Sequence, residues 1–229
     1  MSEQMIKKVL ITGANGFIGG SLMRYYQNQG QDVVGVDLVG NGNDIIEGDI
    51  AQPDSISHVL QECDVIIHTA ALVSNAMQDS DMWRVNVLAT RNLIEAAKEH
   101  KVRRFVQISS VVAYGNSAEG ELDESQPVHA DGGSYVLTKL ASEHVVLGAQ
   151  ANDDIEVVIL RPGDAYGPGS RPWIIAPLEA IAKNQFMLPA KGEGFFRPIY
   201  IDDLVRGIVM ATSHPDAAGE IFNISCEGY

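Results

Sequence analysis

Short apolar, β-branched runs alternate along this chain with longer stretches whose apolar positions recur at helical spacing. The runs predict strands at 8–12, 32–37, 44–49, 64–69, 104–109 and 156–161. The longer stretches predict helices near 17–29, 53–61, 80–99 and 134–149. Almost every position in the runs is apolar, so these strands should be covered on both faces. Strand–helix alternation of this kind predicts an α/β fold with a doubly wound parallel sheet, the Rossmann arrangement.

After Arg161 the texture changes. The segment "RPGDAYGPGSRPWIIAP" is rich in proline and glycine. A helix near 173–184, a strand near 197–201, a helix from Asp202 and a strand in "EIFNIS" follow. The expected organisation is a dinucleotide-binding domain over 1–162 and a partial substrate-binding lobe over 163–229, interwoven with the last strands. No internal repeat or low-complexity tract interrupts the pattern.

The 229 residues carry a net charge of −14, which leaves little from which to build a basic face for nucleic acid. An anionic ligand would have to be held mainly by backbone N–H groups and a few chosen cations. The two cysteines, Cys63 and Cys226, are far apart and form neither a disulfide framework nor metal-ligand spacing; both are expected as buried thiols. The six histidines make no metal pattern either. No stretch reaches the ~20 apolar residues of a membrane span, and "MSEQMIKKVLITG" holds no signal-peptide core. A soluble cytoplasmic protein is expected, with no membrane and no nucleic-acid partner.

The first strand runs into "VLITGANGFIGGSL", a strand–turn–helix unit with glycines at 13, 16 and 19. Gly13 permits the tight turn, Gly16 lets the backbone approach a pyrophosphate, and Gly19 lets helix and strand pack closely. The helix start supplies free N–H groups and the positive end of a dipole. Asp37 ends the second strand about 20 residues on, where a carboxylate accepts hydrogen bonds from ribose hydroxyls and repels a 2′-phosphate. No Arg or Lys follows it in "DLVGNGND", so NAD is expected rather than NADP.

With these motifs the chain resembles the short-chain dehydrogenase/reductase superfamily in its extended, epimerase/dehydratase-like branch. The resemblance spans essentially the whole chain. "TGANGFIG" is similar to the extended-branch glycine motif, which implies cofactor contacts from Gly13, Asn15, Gly16, Phe17, Ile18 and Gly19. "GDI" implies Asp49 and Ile50 at the adenine. "HTAA" implies Ala70 and Ala71 against pyrophosphate and ribose, with His68 structural. Asn86 matches the family's helix asparagine and Ser109 lies in the serine motif "QISSVVAYG", which implies both, with Tyr135 and Lys139, at the cofactor. "RPGDAYGP" implies Pro162 and Gly163 on the nicotinamide side. The catalytic set it implies is Ser110, Tyr135 and Lys139.

Tyr135 and Lys139 are four residues apart, hence on one helix face, one turn apart. A free tyrosine has a pKa of ~10. A neighbouring ammonium and a cationic nicotinamide are expected to draw it toward neutrality, so that it serves as base toward a substrate hydroxyl. Ser110 is preferred to Ser109 because, in the family, the hydroxyl lies four residues before the motif tyrosine, here Tyr114. Strand alternation lets only one of the two serines face the site.

Departures from the family pattern bear on the reaction. Val111 and Val112 stand where the dehydratases carry Asp-Glu, which argues against water elimination. Phe196 stands where nucleotide-sugar epimerases carry a diphosphate-binding Arg, and Arg197 should point to the other face. Asp164 replaces a common Asn. Trp173, Ile174, Phe195 and Phe196 suggest an apolar pocket. "RPGDAYGPGSRPW" and "PIYIDDL" are most similar to the 3β-hydroxysteroid dehydrogenase/dihydroflavonol reductase side. An NAD-dependent alcohol–ketone oxidoreductase for an apolar, sterol-like small molecule is therefore expected. A nucleotide-sugar 4-epimerase is the alternative, and a non-catalytic dinucleotide sensor is disfavoured by the presence of both Tyr135 and Lys139. The family also implies a homodimer through the long helices, and a chain continuing several tens of residues past "GEIFNIS", so the lobe is expected to be truncated.

Overall fold

The computed structural model describes residues 6–73, 78–115, 120–151, 155–192 and 196–226. Its centre is a sheet of seven parallel strands. The chain runs through β1 (Val9–Thr12), α1 (Phe17–Asn28), β2 (Val33–Asp37), β3 (Ile45–Glu47), α2 (Ser57–Leu60) and β4 (Val65–His68). It continues through α3 (Asp79–Trp83), α4 (Thr90–Glu99), β5 (Arg104–Ile108), α5 (Ser134–Gln150), β6 (Glu156–Pro162) and β7 (Asp164–Tyr166). The remaining elements are α6 (Ala176–Ala182), β8 (Pro198–Tyr200), α7 (Ile201–Ser213) and β9 (Ile221–Ile224). The strand order is β3-β2-β1-β4-β5-β6-β9. The order reverses between β1 and β4, which opens a crevice at the carboxyl ends of those strands.

Both faces of the sheet are covered, as the apolar runs require. Val9 and Ile11 pack with Leu22 and Tyr26 of α1 and with Leu204 and Ile208 of α7. Leu10, between them, points the other way and packs with Leu93 and Ile94 of α4 and Val146 of α5. These side chains are completely or almost completely buried, and each contributes about 1.5–3 kcal/mol relative to an exposed position.

The second half is woven into the first. β9 completes the main sheet beside β6, and α7 packs against α1. Arg104, buried at the start of β5, fastens α7 to the sheet. Its guanidinium donates to the Ala211 and His214 carbonyls at 2.9 and 2.8 Å, and to Glu156 at 2.8 Å. It thereby satisfies carbonyls that the end of α7 leaves open.

Two features differ from the sequence expectation. Asp164–Tyr166 forms a short strand that pairs with β8 in a separate two-stranded sheet. Its three residues are too few to show a periodicity, and its pairing partner lies more than 30 residues away. Cys63 is buried, but Cys226 is exposed, because it lies just past the end of β9, where the sheet no longer covers the chain.

The glycine turn is as tight as its spacing predicts. Gly13 has φ +68°, and a Cβ there would meet the Ala70 backbone at 2.8 Å. A Cβ on Gly19 would lie 2.2 Å from the Gly13 carbonyl oxygen. Gly19→Ala should therefore lower the unfolding free energy by about 1–3 kcal/mol, read as a reduced midpoint in urea denaturation.

Candidate active site

The residues singled out in the sequence gather at the carboxyl ends of β1, β4, β5 and β6. The α1 start is capped by Gly16 with no side-chain hydrogen bond, and its first turn carries no acidic residue. Its N–H groups are left for an anion. A Cβ on Gly169, in the loop after β7, would be 3.8 Å from the Phe17 ring, so that loop folds over the beginning of α1. A cradle without side chains at an uncapped helix start fits the pyrophosphate of a dinucleotide.

Asp37 closes the second strand and grips the glycine turn. Its carboxylate accepts from Asn15 N–H at 2.9 Å and from Leu38 N–H at 2.8 Å. The Asn15 amide donates to the Val39 carbonyl at 2.7 Å. The carboxylate that is expected to receive ribose hydroxyls is thus held in place by the phosphate loop itself. Asp49 accepts from Ala51 N–H at 2.9 Å, and Ile50 beside it is buried. Ala70 and Ala71 lie half-buried on the loop after β4. Thr69 Oγ1 ties that loop to the Thr12 carbonyl at 2.6 Å. Pro162 ends β6. Gly163 follows where a Cβ would meet the Arg197 carbonyl at 2.3 Å.

Asn86 was expected at the cofactor. It is 3% exposed, and its amide is occupied by protein. Oδ1 accepts from Leu72 N–H at 2.7 Å, and Nδ2 donates to the Leu72 carbonyl at 3.0 Å and to Thr138 Oγ1 at 3.1 Å. It lies in a π-helical turn, Arg84–Ala89, between α3 and α4. These bonds lock the loop after β4 against α5. His68 is structural: its ring joins Thr12 and Thr90 at 2.7 and 2.9 Å, and burial pushes its pKa down to about 3.

The catalytic candidates meet. The Ser110 hydroxyl lies close enough to the Tyr135 phenol to pull its pKa down, and it accepts from Val112 N–H at 3.3 Å. The Lys139 ammonium lies 5.9 Å from the Tyr135 ring centroid and donates to the Ile108 carbonyl at 2.9 Å. Ser109 goes elsewhere. Its hydroxyl donates to Glu143 at 2.5 Å, which leaves only its backbone to line a cofactor. Sequence reasoning did not single out Glu143 or its partner Arg161, although Glu143 continues the four-residue spacing of Tyr135 and Lys139.

Burial pushes the Tyr135 phenol up to about 12, with the nearby Ser110 hydroxyl pulling the other way. Burial pulls Lys139 down to about 8, opposed by Glu143. The protein groups alone keep Tyr135 protonated at neutral pH. A phenolate there needs further positive charge.

A parallel sheet with this crevice, a bare glycine cradle and a Ser–Tyr–Lys set, with the lysine buried and the serine and tyrosine half-buried, define a dinucleotide-dependent oxidoreductase. The chain belongs to the NAD-dependent epimerase/dehydratase family, whose model matches residues 9–225. It is 29% identical over 243 residues to dTDP-glucose 4,6-dehydratase of Streptomyces niveus, covering 95% of this chain and 72% of that one. It is 28% identical over 240 residues to 3 beta-hydroxysteroid dehydrogenase/Delta 5-->4-isomerase of Mycobacterium tuberculosis, covering 95% and 64%. The fold matches UDP-glucuronic acid 4-epimerase from Bacillus cereus in complex with UDP-glucuronic acid and NAD. That likeness has a TM-score of 0.85 and 29% identity, and covers 96% of this chain and 78% of that one. The protein is an NAD-dependent enzyme, with dehydratases, epimerases and dehydrogenases among its relatives.

The depressed Lys139 pKa has a consequence for stability. Below pH 8 the folded protein carries a buried ammonium at full cost. Between pH 8 and 10.5 the unfolded state binds the extra proton, so stability rises with pH through that window. The unfolding free energy of the wild type relative to Lys139→Met should improve by on the order of 2–3 kcal/mol from pH 7 to pH 10. Urea denaturation of the two proteins at both pH values checks this.

Proposed function

We propose that the protein interconverts a secondary alcohol and a ketone on an apolar small molecule, using NAD, with Tyr135 as the proton-transfer group. The observation that carries the reading is the meeting of Ser110, Tyr135 and Lys139 at the mouth of the crevice. In the reducing direction the Tyr135 hydroxyl donates its proton to the carbonyl oxygen, while Ser110 hydrogen-bonds the same oxygen as charge develops. In the oxidising direction the Tyr135 phenolate takes the hydroxyl proton. Bound NAD supplies the hydride acceptor and, when oxidised, a fixed positive charge. That charge would favour the phenolate form of Tyr135, whose pKa burial otherwise pushes up to about 12. Gly13, Gly16, Gly19, Asp37, Ala70, Ala71, Pro162 and Gly163 would hold the cofactor, and Lys139 its nicotinamide ribose.

The substrate reading rests on the lobe. Trp173 and Phe196 meet with ring centroids 4.8 Å apart and planes tilted by 58°, and both are exposed. Phe195 lies outside the described residues. Val111 and Val112 offer no acid or base, so the dehydration named for some relatives has no groups to perform it here. A nucleotide-sugar 4-epimerase is the second reading. The Bacillus cereus likeness favours it, as does Arg197, exposed beside Asp164.

A cytoplasmic homodimer completes the reading. Trp83 and Leu88, on the α3–α4 stretch, are 41% and 51% exposed. Among the described residues no helix is long and apolar enough to cross a membrane. Light scattering should give twice the chain mass; a monomer at micromolar concentration removes the dimer.

The activity test incubates the protein with NAD and either 3β-hydroxysteroids or UDP-glucose, following NADH absorbance and product identity. Steady NADH formation with the steroid alcohol is the expected result. Sugar interconversion without net NADH would establish the epimerase instead. Tyr135→Phe should lower kcat by roughly 100- to 10,000-fold while leaving the NAD dissociation constant within about twofold.

A further inference from the structure

We propose that Glu143 and Arg161 form a positioning clamp that sets Tyr135 and Lys139 against the end of β5. The proposal rests on the hydride-transfer reading above and assigns that chemistry two residues that touch neither substrate nor cofactor.

The geometry is specific. Tyr135, Lys139 and Glu143 lie at successive four-residue steps on α5 and form one stripe along its inner face. Each holds one of three consecutive residues at the β5 end. Tyr135 meets the Ser110 hydroxyl. Lys139 donates to the Ile108 carbonyl at 2.9 Å. Glu143 accepts from the Ser109 hydroxyl at 2.5 Å. Glu143 is in turn gripped in a two-pronged pair by Arg161 of β6, Nε to Oε1 at 3.0 Å and an Nη to Oε2 at 2.7 Å. The Glu143 and Arg161 side chains are 2% and 3% exposed.

Such a pair fixes both the rotation and the axial position of the helix, because a planar guanidinium accepts a carboxylate in few orientations. Burying it is expensive in desolvation and brings little net stability over an apolar pair, so specificity of placement is the better account of its presence. Its anchoring continues outward. Arg161 donates to Tyr114 Oη at 3.0 Å and lies 4.9 Å from that ring's centroid. Tyr114 Oη donates to Asn223 Oδ1 of β9 at 2.9 Å. The strand that closes the sheet and the helix that carries the phenol are thus joined through one guanidinium.

The test compares wild type with Glu143→Gln, which keeps the size and a hydrogen-bond acceptor but removes the charge. Crystal structures of both proteins with NAD added are the reading that does not depend on activity. Loss of the Ser110–Tyr135 or Lys139–Ile108 contact, with the sheet unmoved, is expected. In solution, kcat with the alcohol that the wild type oxidises should fall by about 10- to 100-fold. KM should stay within about twofold, a split from kcat that general destabilisation would not produce. Ser109→Ala removes a hydroxyl only, and serves if Glu143→Gln does not fold; its kcat should fall by about three- to tenfold. Superposable catalytic groups overturn the clamp whatever the rate, and so does an unchanged kcat with displaced groups. If the wild type transfers no hydride from any alcohol tested, the functional reading fails, and the crystallographic comparison alone decides the clamp.

Discussion

Three ionisable side chains, Lys139, Glu143 and Arg161, lie almost out of reach of solvent between α5 and the ends of β5 and β6. Charge so placed is tolerated only where each group has a partner. Glu143 answers Arg161, and Lys139 has the Ile108 carbonyl and the field of Glu143. Because these partners come from three different elements, they fix how the helix sits on the sheet. The phenol at the crevice mouth inherits its position from that arrangement.

The other half of the site is built by removing atoms rather than adding charge. Gly13, Gly19 and Gly163 stand where a Cβ would run into backbone at 2.8, 2.2 and 2.3 Å. The bare backbone leaves helix N–H groups free, and Asp37 pins the turn through Asn15. An anionic cofactor can therefore be received by a chain with a net charge of −14 without a cluster of cations. In the proposed reading the tasks separate along the strand ends: β1 and β2 would hold the cofactor, while β5 and α5 would carry the proton chemistry.

The catalytic electrostatics follow from the same burial. Burial pushes the phenol up to about 12 and pulls the amine down to about 8, so in the proposed reading the positive charge of the oxidised cofactor is what would convert Tyr135 to a base.

Much of this molecule was legible in one dimension. The β-branched runs located six strands to within two residues, because a strand buried on both faces leaves an unbroken apolar signature. The glycine spacing and the Tyr135–Lys139 step were legible for a similar reason: a turn's steric needs and one helical turn are local constraints. Other features depended on contacts between distant segments. The pairing of Asp164–Tyr166 with β8, the exposure of Cys226, and the engagement of Asn86 by Leu72 and of the Ser109 hydroxyl by Glu143 are of this kind. So are the raised phenol pKa and the Glu143–Arg161 pair, since burial and partnership belong to the packed protein. The sequence by itself determined which residue types stand at the strand ends. Tertiary packing decided which of them face the crevice and which hold the others in place, because only packing sets how much water and which partner each polar group keeps.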